Sequence, residues 1–203
     1  WNAQVHLRHG YPLDRTDFLG DEVSAKEEVE GTPYIFHPTS ENVTSNLINY
    51  ANVFNFSELE AYQGAAVRTL IRQAEEVKPT IIHSASNFVV GLAGAEAAKR
   101  LGIPSVYEIR GFWHLTQATK RLGYESSDHY QLSERLEFEA ARNSDHVFTI
   151  THALREILLE NGIEPEKVSV LPNAVDPERF DIAPRDEELE DELGYEDKVV
   201  IGY

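Results

Sequence analysis

Residues 79–119 read PTIIHSASNFVVGLAGAEAAKRLGIPSVYEIRGFWHLTQAT, and this stretch decides the fold. Residues 80–83 are a short apolar run behind a proline, rich in β-branched isoleucine and too short for a helix. The small polar residues 84–87 follow, of the kind that caps a helix. Residues 88–101 then predict a helix whose Gly91, Ala93, Gly94, Ala95, Ala97 and Ala98 let its backbone lie close to a sheet. Gly102-Ile103-Pro104 stops it, residues 105–109 are the next strand, and residues 110–128 read as a loop dense in polar and aromatic groups. Two short strands joined by one helix make a βαβ unit, hence a parallel sheet with a right-handed crossover. Ligands of such sheets sit beyond the carboxyl ends of the strands. That places His83–Asn87 and Arg110–His114 side by side on one rim.

The same alternation runs outward from this unit. Downstream come an amphipathic helix over 129–143, a strand over 146–150, a helix over 153–161 capped by Thr151, and a strand over 168–171 broken by Pro172. A tight turn over 173–180, an acidic helix over 186–193 and a strand over 198–202 complete the chain. Upstream, a helix over 58–77 starts at Ser57, with Leu59, Ala66, Leu70 and Ile71 mostly on one stripe. Before it lie strands over 4–8 and 34–37, a polar excursion over 13–31, and a segment over 39–57 without clean period. Strand and helix alternate from about residue 58 onward, the mark of an α/β, doubly wound, Rossmann-like parallel sheet.

Composition narrows the function. The chain has 203 residues, enough for a sizeable core, and no cysteine, which excludes disulfides, thiolate chemistry and Cys-ligated zinc. Its net charge is −17 with only six lysines, a field that repels nucleic acid and anionic lipid. No apolar run is long enough to span a bilayer and no signal peptide is visible. The sequence therefore predicts a cytoplasmic protein, with any membrane contact peripheral at the inner face. Asn42-Val43-Thr44 and Asn55-Phe56-Ser57 match glycosylation acceptors, which in that setting are chance matches. The chain has no methionine and its last residues look like a strand without a sequel, so the ends read as those of a fragment.

SDHVFTITHALREILLENGIEPEKVSVLPNAVDPERF (144–180) closely resembles the end of the N-terminal domain in family 4 glycosyltransferases, where a P-N-x-V-D-x-x-x-F segment precedes the second domain. The 79–113 stretch is similar to the acceptor-side core of those enzymes, and GYPLD (10–14) and EVEGTPYIFHPT (28–39) to their second and third strands. Many segments matching in order make the resemblance specific across nearly the whole chain. It implies a GT-B fold, two Rossmann-like domains facing across a cleft, and retaining transfer of a sugar from a nucleotide-sugar, usually with no bound metal or other cofactor. Residues 1–172 would be the acceptor-binding N-terminal domain, lacking its first strand. Residues 173–203 would be the interdomain linker and first strand of the donor-binding domain, and such a piece is expected to be inactive alone.

The candidate site residues follow from the rim and from the resemblance. Arg110 offers a fork of donors suited to phosphate or carboxylate and stands where many family members carry a histidine close to the transferred sugar. His114 is the second candidate for catalysis, set against a plain surface or capping histidine. Gly111 allows close backbone approach, and Trp113 is suited to stacking on a sugar ring. His83, Ser84, Ser86 and Asn87 sit at a helix N-terminus that favours anions or hydroxyls, with capping by Ser84 or Ser86 the plainer account and His83 ending a buried strand. Thr151 is an N-cap first and a donor contact second. Asn173 and Asp176 hold the interdomain turn and border the cleft, and Tyr11 and Arg15 are candidate acceptor contacts. Glu108, two residues before Arg110 on its strand, reads as its structural partner.

Partners expected are a nucleotide-sugar and a glycan, lipid-linked or small-molecule acceptor. Two alternatives stay open: a GT-B relative such as a nucleotide-sugar 2-epimerase, which needs catalytic carboxylates and a histidine, and a non-catalytic sugar-binding module. A dehydrogenase-type domain is disfavoured, since no G-x-G-x-x-G occurs.

Overall fold

A computed structural model describes residues 3–6, 26–36, 56–179, 186–195 and 198–199. The chain divides into two compact units, Trp1–Pro172 and Asn173–Tyr203.

In the first unit, β1 (Val5–His6), β2 (Lys26–Val29) and β3 (Thr32–Ile35) form a sheet of order β1-β3-β2, with β3 parallel to β1 and antiparallel to β2. The β2–β3 turn is Glu30-Gly31, both at positive φ, the hairpin geometry whose twist suits its flanking strands. β2 corrects the end of the irregular excursion expected over 13–31. KEEV has weak strand propensity and is exposed throughout, so only the Glu-Gly pair signalled it. The strand expected over 34–37 lies two residues earlier. Residues 7–8 and 37, and nearly all of the segment over 39–57, fall outside the described residues.

The second sheet is the one the 79–119 stretch dictated. It consists of β4 (Ile82–Ala85), β5 (Ser105–Ile109), β6 (His146–Thr149) and β7 (Val168–Val170), all parallel and in that order. Alternation assigns its two faces. Ser105, Tyr107, Ile109, Val147, Thr149 and Val168 are buried, while Val106, Glu108, His146, Phe148 and Ser169 are half-buried.

The buried face is covered by helices. Besides α1 (Phe56–Val77), the chain forms α2 (Phe88–Leu101), α3 (Trp113–Ala118), α4 (Asp128–Asn143) and α5 (His152–Glu160). Tyr107, Ile109, Val147 and Val168 share one core with Phe88, Leu136, Phe138, Ala140, Ala141 and Leu158. Burying a side chain such as Leu158 completely is worth roughly 1.5–3 kcal/mol. The small residues of α2 do what the sequence suggested: a Cβ on Gly91 would lie 2.8 Å from the Tyr107 ring. Gly102 ends α2 in the left-handed region at φ 69°, its N–H reaching back to Ala98 and Lys99 carbonyls.

Several element ends moved. α1 begins at Phe56, so Ser57 lies inside its first turn. β4 is displaced two residues, so Ser84 belongs to the strand. The loop expected over 110–128 holds α3 and a 3-10 turn at Tyr124–Ser126; six residues of mixed aromatic and polar character give no readable stripe. Ser127 caps α4 and Thr151 caps α5. At the far end of α4, Asp145 Oδ2 accepts from the Ser105 amide at 2.8 Å and its hydroxyl at 3.0 Å, tying that helix to the start of β5.

In the second unit, Pro177–Arg179 makes one 3-10 turn, and α6 (Glu187–Leu193) runs from an Asp186 cap to Gly194 in the left-handed region. Of the strand expected over 198–202, Lys198 and Val199 carry no strand pairing and the rest lies outside the described residues.

Candidate functional site at the rim of the parallel sheet

The site is built on Glu108. Alternation along β5 turns its side chain away from the helix-covered face, next to strand β4, where Ala85 is its register partner. One carboxylate oxygen accepts from Arg110 Nε at 2.7 Å, and the other meets His83 Nε2 at 3.0 Å. The carboxylate is the enclosed member, 14% exposed, while the His83 and Arg110 side chains are 46% and 60% exposed. The Arg110 hydrogen bond, above all, holds the Glu108 carboxyl below its ordinary range, and the same bond raises Arg110.

Ser86 stitches the two strand ends together. Its amide donates to the Glu108 carbonyl at 2.9 Å, and its hydroxyl accepts from the Arg110 amide at 2.9 Å. Arg110 is thereby held at both backbone and side chain. Next to it, Asn87 caps α2, its side chain accepting from the Val89 amide at 3.2 Å. His83, Ser86 and Arg110 are thus brought together around Glu108, with Asn87 next in the chain at the start of α2.

Other expected residues are placed elsewhere. His83 does not end a buried strand: it is the second residue of β4 and half-exposed, because β4 runs on to Ala85. Ser84 points to the opposite face, where its hydroxyl would lie 2.0 Å from a Cβ on Gly94; neither it nor Ser86 caps α2. Gly111 is half-buried with open space where a side chain would start. Trp113 opens α3 and is 42% exposed.

His114 is 3% exposed and packs among Phe112, Tyr130 and Phe138. Burial pushes it down to about 4, so at neutral pH it is uncharged. Its 3.9 Å approach to Glu134 is then not a charged pair. Thr151 accepts from the Leu154 amide at 3.2 Å as the cap of α5. Asp176 accepts from the Glu178 amide at 3.1 Å, and Asn173 is exposed; both belong to the second unit. Tyr11 and Arg15 lie outside the described residues.

The sequence reading missed one buried acid. Glu137, 1% exposed, accepts from the Phe88 amide at 3.1 Å and from the Tyr107 hydroxyl. Burial raises it to about 7, against the two hydrogen bonds. Its signal was present: a carboxylate on the same α4 stripe as Ser133, Ala140 and Ala141 has no solvent to face. It lines a hollow with Trp113, His114 and Gln117. Among the described residues no group of three or more His, Asp or Glu is arranged to hold a metal ion. No helix there is long and apolar enough to cross a membrane.

Comparison with solved structures gives distant likenesses. The UDP-GlcNAc 2-epimerase of Methanocaldococcus jannaschii is 19% identical, with a TM-score of 0.40, over 59% of this chain and 29% of that one. An S. aureus MnaA–UDP co-structure is 15% identical, with a TM-score of 0.46, over 82% and 44%. The UDP-GlcNAc 2-epimerase of Neisseria meningitidis bound to UDP-GlcNAc is 15% identical, with a TM-score of 0.41, over 70% and 39%. The chain spans less than half the length of each of these structures. No curated protein matches it significantly. The family profile described as Glycosyltransferase Family 4 matches residues 29–179, a span that takes in β3, the whole parallel sheet and the Glu108–Arg110 rim, and the chain belongs to that family.

Proposed function

We propose that this chain serves the acceptor side of a retaining glycosyltransferase of the GT-B type, which moves a sugar from a nucleotide-sugar to an acceptor hydroxyl. The observation that carries the reading is Arg110: a cation fixed at the carboxyl end of β5 by Glu108 and Ser86, with Trp113 three residues on, inside a family 4 domain.

In the transfer, the bond between the anomeric carbon and the diphosphate oxygen breaks, and the nucleotide diphosphate leaves with the electron pair. The acceptor oxygen bonds to the same face of that carbon, and its proton passes to the departing phosphate. Fixed positive groups and helix N-termini lower the cost of the developing anion. Arg110 is suited to that role by its permanent charge and forked donors, and Trp113 by its exposed ring. His114 is buried and neutral and takes no part as a cation. The work needs no metal from these residues and is consistent with a cytoplasmic protein, where nucleotide-sugars are the donors. A glycan, a lipid-linked sugar and a small molecule are the acceptor classes to test.

A second reading, 2-epimerisation of a nucleotide-sugar, takes support from the Glu108–His83 carboxylate–imidazole pair. One experiment separates the two. A panel of nucleotide-sugars is incubated with the full-length protein and its Arg110→Ala variant, following nucleotide diphosphate release and sugar configuration by NMR. Release from one donor with acceptor present, lost in the variant, supports transfer. A new sugar epimer still joined to its nucleotide would replace transfer by epimerisation, and neither product from any donor would leave a binding module.

A further inference from the structure

The rim holds a device that the family assignment does not describe. Glu108 bonds Arg110 through Nε only, and among the described residues neither terminal nitrogen of that guanidinium has a hydrogen bond or ion pair. The Arg110 amide is fixed as well, by Ser86 Oγ. An arginine gripped at Nε and at its backbone presents its two terminal nitrogens as a rigid fork, the geometry that meets two oxygens of a phosphate or carboxylate at once. The carboxylate that grips it is the least exposed group of the cluster, and His83 holds its second oxygen. Glu108 is therefore anchored from both sides and points nothing of its own at a ligand.

We infer that Glu108 is a positioning residue, which fixes Arg110 so that its terminal guanidinium nitrogens receive an anionic group of the ligand, phosphate or carboxylate. This deepens the proposed transferase reading and rests on it for the identity of that group. It also opposes simple electrostatics. A carboxylate beside an anion site repels the anion, so charge alone says that removing Glu108 tightens anion binding. Positioning says the reverse. An arginine released from its anchor recovers rotamer freedom that binding must then remove, and the loss of preorganisation outweighs a repulsion already cancelled by Arg110 itself.

The test is titration calorimetry on the full-length protein and on Glu108→Ala, Glu108→Gln, Arg110→Lys and Arg110→Ala. The probes are inorganic pyrophosphate, standing for a donor diphosphate, and inorganic phosphate and glucuronate, standing for an anionic acceptor. The probe that binds the unaltered protein identifies the source of the anion. For that probe, E108A is expected to weaken binding by roughly tenfold, the scale of one charge-assisted hydrogen bond. E108Q keeps an acceptor for Arg110 Nε and is expected to fall between the two. R110K keeps the charge without the fork and is expected to bind nearly as poorly as R110A. A merely structural Glu108 gives no reason for this graded rescue. Unchanged or tighter binding in E108Q or E108A overturns the inference, as does failure of all three probes to bind the unaltered protein. Transfer assayed on the same preparations reads the other question: transfer with anion binding indifferent to Glu108 sinks the positioning role alone, and the graded anion response without transfer sinks the transferase reading alone.

Discussion

Glu137 shows what one buried side chain can impose. Its carboxyl is enclosed by α4, β5 and the first turn of α2, accepting from the Tyr107 hydroxyl and the Phe88 amide. The donors favour the ionised form, burial favours the protonated one, and burial wins, raising the group from 4.5 to about 7. Because the folded value lies above the unfolded one, the protonated acid's contribution is complete below about pH 4.5 and is lost as pH rises through 7. A shift of this size corresponds to about 3 kcal/mol. Urea unfolding of the protein and of Glu137→Gln, at intervals between pH 5 and 8, is expected to show wild-type stability falling by up to about that amount relative to the variant. The difference must be read between the two proteins, because Glu108 and Asp145, both held low by their hydrogen-bond partners, act in the opposite sense toward acid. Parallel curves across this window would mean that Glu137 stays ionised in the fold.

At the scale of elements, α2 is where sequence and structure agree most closely, and its glycines show why. Gly91 and Gly64 both sit inside helices, where replacing glycine by alanine favours the helix by about 1 kcal/mol. At Gly64, on α1, a Cβ would meet only the tip of Arg68 at 3.3 Å, so Gly64→Ala is expected to raise stability by up to about that amount. At Gly91 it would meet the Tyr107 ring at 2.8 Å and Ala140 Cβ at 3.0 Å, and Tyr107 is held in place by Glu137. Overpacking of this kind costs roughly 1–3 kcal/mol, so Gly91→Ala is expected to destabilise despite its better propensity; equal gains for both variants in urea unfolding would show that α2 can lift off the sheet. The α2 boundaries and both β5 ends were legible because small residues, a glycine stop and β-branched runs each speak locally. What escaped was non-local or faint. β4 lies two residues later than the apolar run predicts, because Ser84 and Ala85 look like a cap and only pairing with Tyr107 and Glu108 makes them strand. The burial of His114 was not legible beside Arg110, because Tyr130 and Phe138, two of the rings that enclose it, lie far along the chain. The Glu108–Arg110 pair was legible from spacing of two on one strand, whereas the share taken by His83 depended on the register between strands.

At the scale of the whole molecule, a charge of −17 has to be reconciled with a folded chain and with a site that offers a cation. Ion pairs such as Glu96–Arg100 and Arg155–Glu156 are each local to one helix, and with 35 acidic against 18 basic residues the carboxylates outnumber the cations that could answer them. The α6 helix is the extreme case, with Glu187, Glu188, Glu190, Asp191 and Glu192 and no basic residue in its last turn to answer its dipole. Self-repulsion of this kind destabilises the compact state and is removed by screening. The screening length falls from about 30 Å at 0.01 M salt to about 10 Å at 0.1 M and about 3 Å at 1 M. The thermal midpoint is therefore expected to climb with KCl, with most of the gain below roughly 0.2 M, where the range of repulsion shrinks from the width of a domain to that of a side chain. A rise confined to molar salt would point instead to exclusion of solute from the protein surface, and a flat response would mean that the carboxylates are spaced widely enough for water alone to separate them. The shape of that curve, more than its height, separates the three accounts, because each has its own dependence on distance.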